Sequence, residues 1–161
     1  MTPATRHGSA VVTLSGDREI VITRSFDAPA AAVFRAWTTP DLVRRWWGFP
    51  TSEWVVCDID LRVGGTWRYV TREDGVEVGF HGEYREIDAP VRLVSTEVFE
   101  GFPDAEALDT LVLEERDGVT TLTITVLHQL PEHRDGHIAS GMEHGMQVSF
   151  DRLEDAIAGG D

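Results

Sequence analysis

The sequence predicts an α+β domain: a curved, seven-stranded antiparallel sheet wrapped round one long C-terminal helix, with two short helices after the first long strand. Three observations predict it. First, Met142, Met146, Phe150, Leu153 and Ile157 recur near every 3.6 residues, so one face of a C-terminal helix must be covered. Second, the chain from Leu14 to His128 is built of β-branched, alternating runs of strand length. Third, most of the links between those runs are turn sequences too short for a parallel crossover. A helix from Ser140 to Ala158 would be a rod of ~27 Å, about the length of a nine-residue strand.

Taken in order, residues 1–8 are polar and small, which predicts a flexible N-terminus ahead of one domain spanning 9–160. Ala10–Leu14 and Arg18–Phe26 read as a hairpin about Ser15-Gly16-Asp17. Asp27-Ala28-Pro29 reads as a helix start, with Asp27 or Ala28 as cap and Val33, Phe34 and Trp37 on the apolar face. Thr39-Pro40-Asp41 repeats that signal for a second helix through Leu42, Val43, Trp46 and Trp47, stopped by Gly48. Strand-like runs follow at Glu53–Leu61, Thr66–Glu73, Val76–Ile87, Val91–Phe99, Leu108–Glu115 and Val119–His128. Gly64-Gly65, Asp74-Gly75, Asp88-Ala89-Pro90 and Asp117-Gly118 connect them as turns, so the sheet is expected to be a meander. Glu100–Ala107 is an acidic loop longer than a turn requires. Pro131–His137 predicts a helical turn before the long helix, where Ser140 and Glu143 have capping-box spacing. Gly159-Gly160 would end that helix in a left-handed residue. Its outer face, Glu143, His144, Gln147, Asp151, Glu154 and Asp155, is expected to meet water.

Composition narrows the function classes. With 14 basic against 28 acidic residues the net charge is −14, which repels phosphate backbones and anionic lipid; nucleic-acid and membrane partners are therefore not expected. No apolar run approaches the ~18 residues of a membrane span, and no secretory signal is visible. A single cysteine, Cys57, fits a reducing cytoplasmic location.

Alternation sorts the side chains. In Val78–Glu86, Val78, Phe80, Gly82 and Tyr84 share the inward side, and Gly82 there marks a bend or a close approach of the helix. Leu122, Ile124, Val126 and His128 form another inward column. A sheet that bends round a helix leaves space beneath its concave side, and the aromatic content exceeds what a small core needs, with five tryptophans. The residues expected to line that space are Trp46, Trp54, Trp67, Tyr69, Phe80, Tyr84, Phe99, His128, Met142 and Met146. Trp46 and Trp47 point to different sides of their helix, so at most one both packs the core and lines the cavity. His128 can serve as a hydrogen-bonded core residue or as an orienting or catalytic group, since its ordinary pKa suits either.

Other constellations read as structural. His133 and His137 stand four apart, but Gly136 and Gly141 interrupt the helix and no carboxylate or cysteine completes a metal set, so this is a solvated face and no metal or other cofactor is expected. Asp58, Asp60 and Arg62 share one side of a strand, and an Asp60–Arg62 charge pair explains them without catalysis. His81 alternates to the outer face, and Cys57 inward as a small hydrophobe.

Several motifs together resemble a known family. Ile22-Thr23-Arg24-Ser25-Phe26-Asp27-Ala28-Pro29, Val33-Phe34-Arg35-Ala36-Trp37-Thr38-Thr39-Pro40 and Arg45-Trp46-Trp47-Gly48 are similar to the opening of bacterial homologues of the activator of heat shock protein 90 ATPase. Asp60-Leu61-Arg62-Val63-Gly64-Gly65 and Gly79-Phe80-His81-Gly82-Glu83-Tyr84 resemble its middle, and Ser140-Gly141-Met142-Glu143-His144-Gly145-Met146 with Asp151-Arg152-Leu153 its end. The resemblance implies the START-like (SRPBCC, birch-allergen-like) superfamily and its helix-grip fold, with a cavity between sheet and helix that often takes apolar ligands. Many members carry Trp where this chain has Met146, which implies a softer, wider cavity end here. The expected function is therefore non-catalytic binding of a small hydrophobic or aromatic molecule, as carrier or sensor. An enzyme using the same cavity, and a protein-partner module modulating a chaperone ATPase, stay open beside it, as do monomer and homodimer.

Overall fold

The computed structural model describes residues 10–159. The expectations for residues 1–9 and for Gly160 lie outside the described residues. Eight strands form one antiparallel sheet: β1 Val11–Ser15, β2 Glu19–Phe26, β3 Glu53–Ile59, β4 Thr66–Glu73, β5 Val76–Asp88, β6 Arg92–Phe99, β7 Glu106–Arg116 and β8 Val119–Leu127. The sheet has eight strands rather than seven: the expected hairpin forms, with Val11–Ser15 paired to β2 as an edge strand, and all six later runs also join the sheet. Helices α1 (Ala30–Thr38) and α2 (Pro40–Trp46) follow β2, while α3 (Pro131–Ala139) and α4 (Met142–Ala158) end the chain.

Strand order is β1-β2-β8-β7-β6-β5-β4-β3. From β3 to β8 this is the expected meander. The α1–α2 insert, however, carries the chain from β2 to the far edge, so β2 pairs with β8 instead of β3. The hairpin turns are those the Asp-Gly pairs require: Asp74 and Gly75 have φ of 52° and 80°, Asp117 and Gly118 of 55° and 79°.

Helix starts differ from expectation. Pro29, with ψ of 154°, is the cap of α1 rather than its first residue, and no side chain of its own segment caps it. Glu115 of β7 does so instead, accepting from the Ala30 N–H at 2.9 Å. The capping box of the last helix is not formed: α4 begins two residues later, with Gly141 at φ 84° as its cap, and Ser140 Oγ donates to the His137 carbonyl at the end of α3. A sharp reversal between two helices needs the left-handed residue at 141, which takes Ser140 out of capping position. At the other end Gly159 is right-handed, with φ −72°.

The core lies between the concave face and α4, sealed by Ile20, Leu122, Leu153, Phe150 and the α1–α2 pair through Val33 and Val43. The outer face of α4 is not all wet. Arg24 falls in the inward column of β2 between Ile22 and Phe26, with its side chain fully buried, and pairs with Asp151 at 3.1 Å and Glu154 at 2.5 Å. Gln147 bonds the Ala10 backbone in both directions, at 3.2 and 2.9 Å. A buried guanidinium must be neutralised, which assigns those carboxylates to the sheet rather than to water.

Candidate functional site

The ends of α4 differ. Phe150, Leu153 and Ala156 are buried, whereas Met142 and Met146, on the same stripe, are only half-buried. Phe49, just after α2, stands against that first half of α4, its ring 6.2 Å from that of His144. On the sheet, Phe99, on the inward side and paired with Phe80, is 43% exposed, so the concave face meets solvent at that end of β6.

The predicted aromatics separate into two groups. Trp54, Trp67, Tyr69, Phe80 and Phe99 form a continuous wall, with ring centroids 4.7 Å apart for Trp67–Tyr69, 5.8 Å for Trp54–Tyr69 and 5.3 Å for Phe80–Phe99. Trp47 joins it, lying 5.3 Å from both Tyr69 and Phe80 and 5.7 Å from Trp54. Trp46 stands apart, 4.6 Å from Trp37 and 6.5 Å from Phe150, its indole N–H donating to the Ala36 carbonyl at 2.9 Å. Trp47 follows the last residue of α2, and its extended backbone (ψ 136°) swings its ring toward the sheet. Tyr84 is buried in the same concave face, and burial pushes its phenol up, as it does for Tyr69.

Gly82 is a close approach, but of the neighbouring strand rather than the helix. A Cβ there would meet the Thr96 carbonyl oxygen at 1.8 Å and Trp67 Nε1 at 2.5 Å; Trp67 itself donates to that carbonyl at 3.2 Å.

Register carries the row through Gly82 across the sheet. Trp67 pairs with Gly82, Glu97 with Ala107, and Leu108 with Leu127, so Trp67, Gly82, Glu97, Ala107 and His128 lie side by side on the concave face. The next row holds Tyr84, Ser95, Asp109 and Val126. Sequence reasoning missed Glu97 and Asp109, although the signal was present: both are polar residues in inward columns, Ser95–Glu97–Phe99 and Ala107–Asp109–Leu111.

These groups form one ionisable floor. Burial, with the charge and hydrogen bond of Glu97, pushes the Asp109 carboxyl well above its usual range and favours its acid form. His128 is buried, its pKa lowered to about 4 by burial and by His137, whose Nδ1 lies 3.0 Å from His128 Nε2. His137 is lowered in turn by burial. It is therefore half-buried and bonded to the sheet, not part of a solvated face, because α3 folds over the end of β8. Buried Asp109 Oδ1 and His128 Nδ1 have no hydrogen-bond partner. Such a floor can accept and donate hydrogen bonds and hold a proton in a water-poor space.

The remaining groups are structural. Asp60 accepts from Arg62 at 2.9 Å on the surface. Cys57 is buried, and burial raises its thiol to about 11. His81 faces out and bonds Glu100 at 2.8 Å, which also takes two hydrogen bonds from Arg68. His133 packs against Phe102, and among the described residues no three His, Cys, Asp or Glu side chains converge as a metal set. No helix among them is long and apolar enough to cross a membrane.

Among the described residues the surface is indented by clefts that include the following pair. One, about 220 Å³, includes His128 with Arg18, Arg85 and Thr96; the other, about 280 Å³, runs between the start of α1 and Glu154, Ile157 and Ala158. Of the residues predicted to bind a ligand, only His128 borders either.

No curated protein matches the chain. Among solved structures, it is similar to a protein of Rhodobacter sphaeroides, at 26% identity over 93% of this chain and 99% of that one, with a TM-score of 0.87. A protein of Arthrobacter aurescens matches at 25% identity over 92% and 91%, with a TM-score of 0.83. Protein NE0264 of Nitrosomonas europaea, 22% identical over 91% and 97% with a TM-score of 0.81, shares the fold. A family model described as Activator of Hsp90 ATPase homolog 1-like protein matches residues 27–158. With its helix-grip architecture and that match over most of its length, the chain belongs to the Activator of Hsp90 ATPase homolog 1-like family, within the START-like superfamily.

Proposed function

We propose that the protein binds a small, largely apolar or aromatic molecule between the concave sheet and the first half of α4, as a carrier or sensor rather than a catalyst. The observations that support this reading are the aromatic wall on the concave face and the uneven burial of α4. Met142 and Met146 stay half-buried against the core in the first half of α4, while Phe150 and Leu153 are buried in its second half. Apolar walls with a few convergent polar groups are what small-molecule sites use, and methionine adapts to what enters. Titration with the neutral dye Nile red, with native mass spectrometry for a co-purified molecule, tests it. Saturable binding at one site per chain, weakened by Met146→Trp, is expected; no saturable binding and no retained molecule would overturn it.

One observation favours a second reading. Asp109, held toward its acid form, and His128, bonded to His137, lie on one face of the sheet, which supports an acid–base reading. Turnover that disappears in His128→Gln would establish that reading in place of the carrier.

A further inference from the structure

We infer that α3 is a proton-released lid, closed over the end of β8 while at least one imidazole of the His128–His137 pair is neutral and open once both carry a proton. The inference stands on the contacts of the helix itself and needs no ligand in the concave face. α3 has no buried residue, so little apolar packing holds it down. Among the described residues, its shortest hydrogen bond to the sheet joins His137 Nδ1 and His128 Nε2, at 3.0 Å. Its other links are looser. Arg134 Nη1 donates to the Gly16 and Glu19 carbonyls at 3.4 and 3.3 Å, and the His133 ring lies 5.7 Å from that of Phe102.

A bond between two imidazoles needs one nitrogen to donate and the other to accept. Whichever ring donates, the bond survives a first proton, because an imidazolium donates and its neutral partner still accepts. A second proton removes the last lone pair from the contact and sets two cations 3.0 Å apart. Water does not hydrate them in place, since His128 is 7% exposed and its Nδ1 is buried without a partner. The charged groups around the pair divide. Glu97 of β6 attracts a proton, whereas His133 and Arg134 of α3 oppose one. Arg18 and Arg85 add positive charge and Glu106 negative charge around the cleft that His128 borders, and Asp109 of β7 is favoured in its neutral acid form. Burial outweighs these, lowering both imidazoles, His128 to about 4. With α3 open, both rings meet water and return to the ordinary value of 6.5. Between pH 6.5 and about 4 the open form therefore binds more protons than the closed form, so acid favours opening across that window.

Hydrogen–deuterium exchange of the full chain, read by mass spectrometry and corrected for intrinsic exchange rate, tests the inference. Between about pH 6 and 5, protection of α3 should fall about tenfold or more, the worth of one proton per pH unit, while β5 to β8 keep theirs. His137→Asn should keep α3 protected across that range, because its amide stands where Nδ1 stood and its oxygen accepts from a protonated His128. Protection of α3 that is flat in the parent, or that falls equally in parent and variant, would overturn the lid. If the variant is already open at neutral pH, the parent decides by NMR titration of the two imidazoles. Their midpoints should lie below 6.5 and coincide with the loss of α3 protection; midpoints at 6.5 with α3 still protected would overturn the lid as well.

Discussion

Replacing Gly82 by Ala adds one methyl group where the sheet has no room. The new Cβ would lie 1.8 Å from the Thr96 carbonyl oxygen and 2.7 Å from its carbon, against a practical minimum near 3.0 Å. Relief requires β5 and β6 to part locally by about 1.2 Å, the gap between those two distances, because backbone cannot rotate away as a side chain can. That movement weakens one or two ladder hydrogen bonds at ~1 kcal/mol each and displaces Trp67, whose indole is bound to the same carbonyl. Adding ~1–3 kcal/mol for overpacking gives a total of about 2–5 kcal/mol. For a chain of this size that is a fall in Tm of ~4–20 °C. Urea unfolding followed by far-UV circular dichroism should show a lower midpoint with an unchanged slope. Because Gly82 lies opposite Glu97, Nile red affinity should fall as well. A variant melting within a degree of the parent would refute the argument, since β6 would then not be pinned against Gly82.

Met146→Trp should weaken Nile red binding without lowering Tm, because a ring added where the helix is only half-buried fills space; a loss of ~1–3 kcal/mol with unchanged dye binding would mean Met146 is closed core. His128→Gln should leave dye affinity within about tenfold, ~1.4 kcal/mol, as one hydrogen-bonding group replaces another, checked by fluorescence titration. The Arg68 guanidinium, with His81, holds Glu100 down at about 2 from an ordinary 4.5. Its lowered value contributes stability that is present above pH 4.5 and lost as pH falls toward 2. Tm measured across that window should therefore fall less steeply in Glu100→Gln than in the parent. Cys57, raised to about 11 by burial, should resist iodoacetamide at pH 8 until the chain is unfolded in urea, as mass spectrometry of the adduct would report.

Local pattern determined the elements. Alternation and the 3.6-residue stripe are imposed by backbone geometry within a few residues, so the strands, the C-terminal helix, the Asp-Gly turns and the inward set Phe80, Gly82, Tyr84 and His128 were legible before any contact was known. Cys57 and the Asp60–Arg62 pair were readable for the same reason, as neighbours on one strand or turn. What depends on chain closure was not. The pairing of β2 with β8, the demand of Arg24 for carboxylates 127 and 130 residues away, and the capping of α1 by Glu115 all join segments whose separation carries no local signal. The site belongs to the same class. Trp46 and Trp47 are adjacent in sequence, yet only the end of α2 decides that Trp47 meets the aromatic wall. Glu97 and Asp109 come from two strands, His128 from the residue after a third and His137 from a helix, and they came together only when the register of β6, β7 and β8 was set and α3 folded over it. A polar residue in an inward column reveals that something must satisfy it; which group does so is a property of the packed sheet and helix.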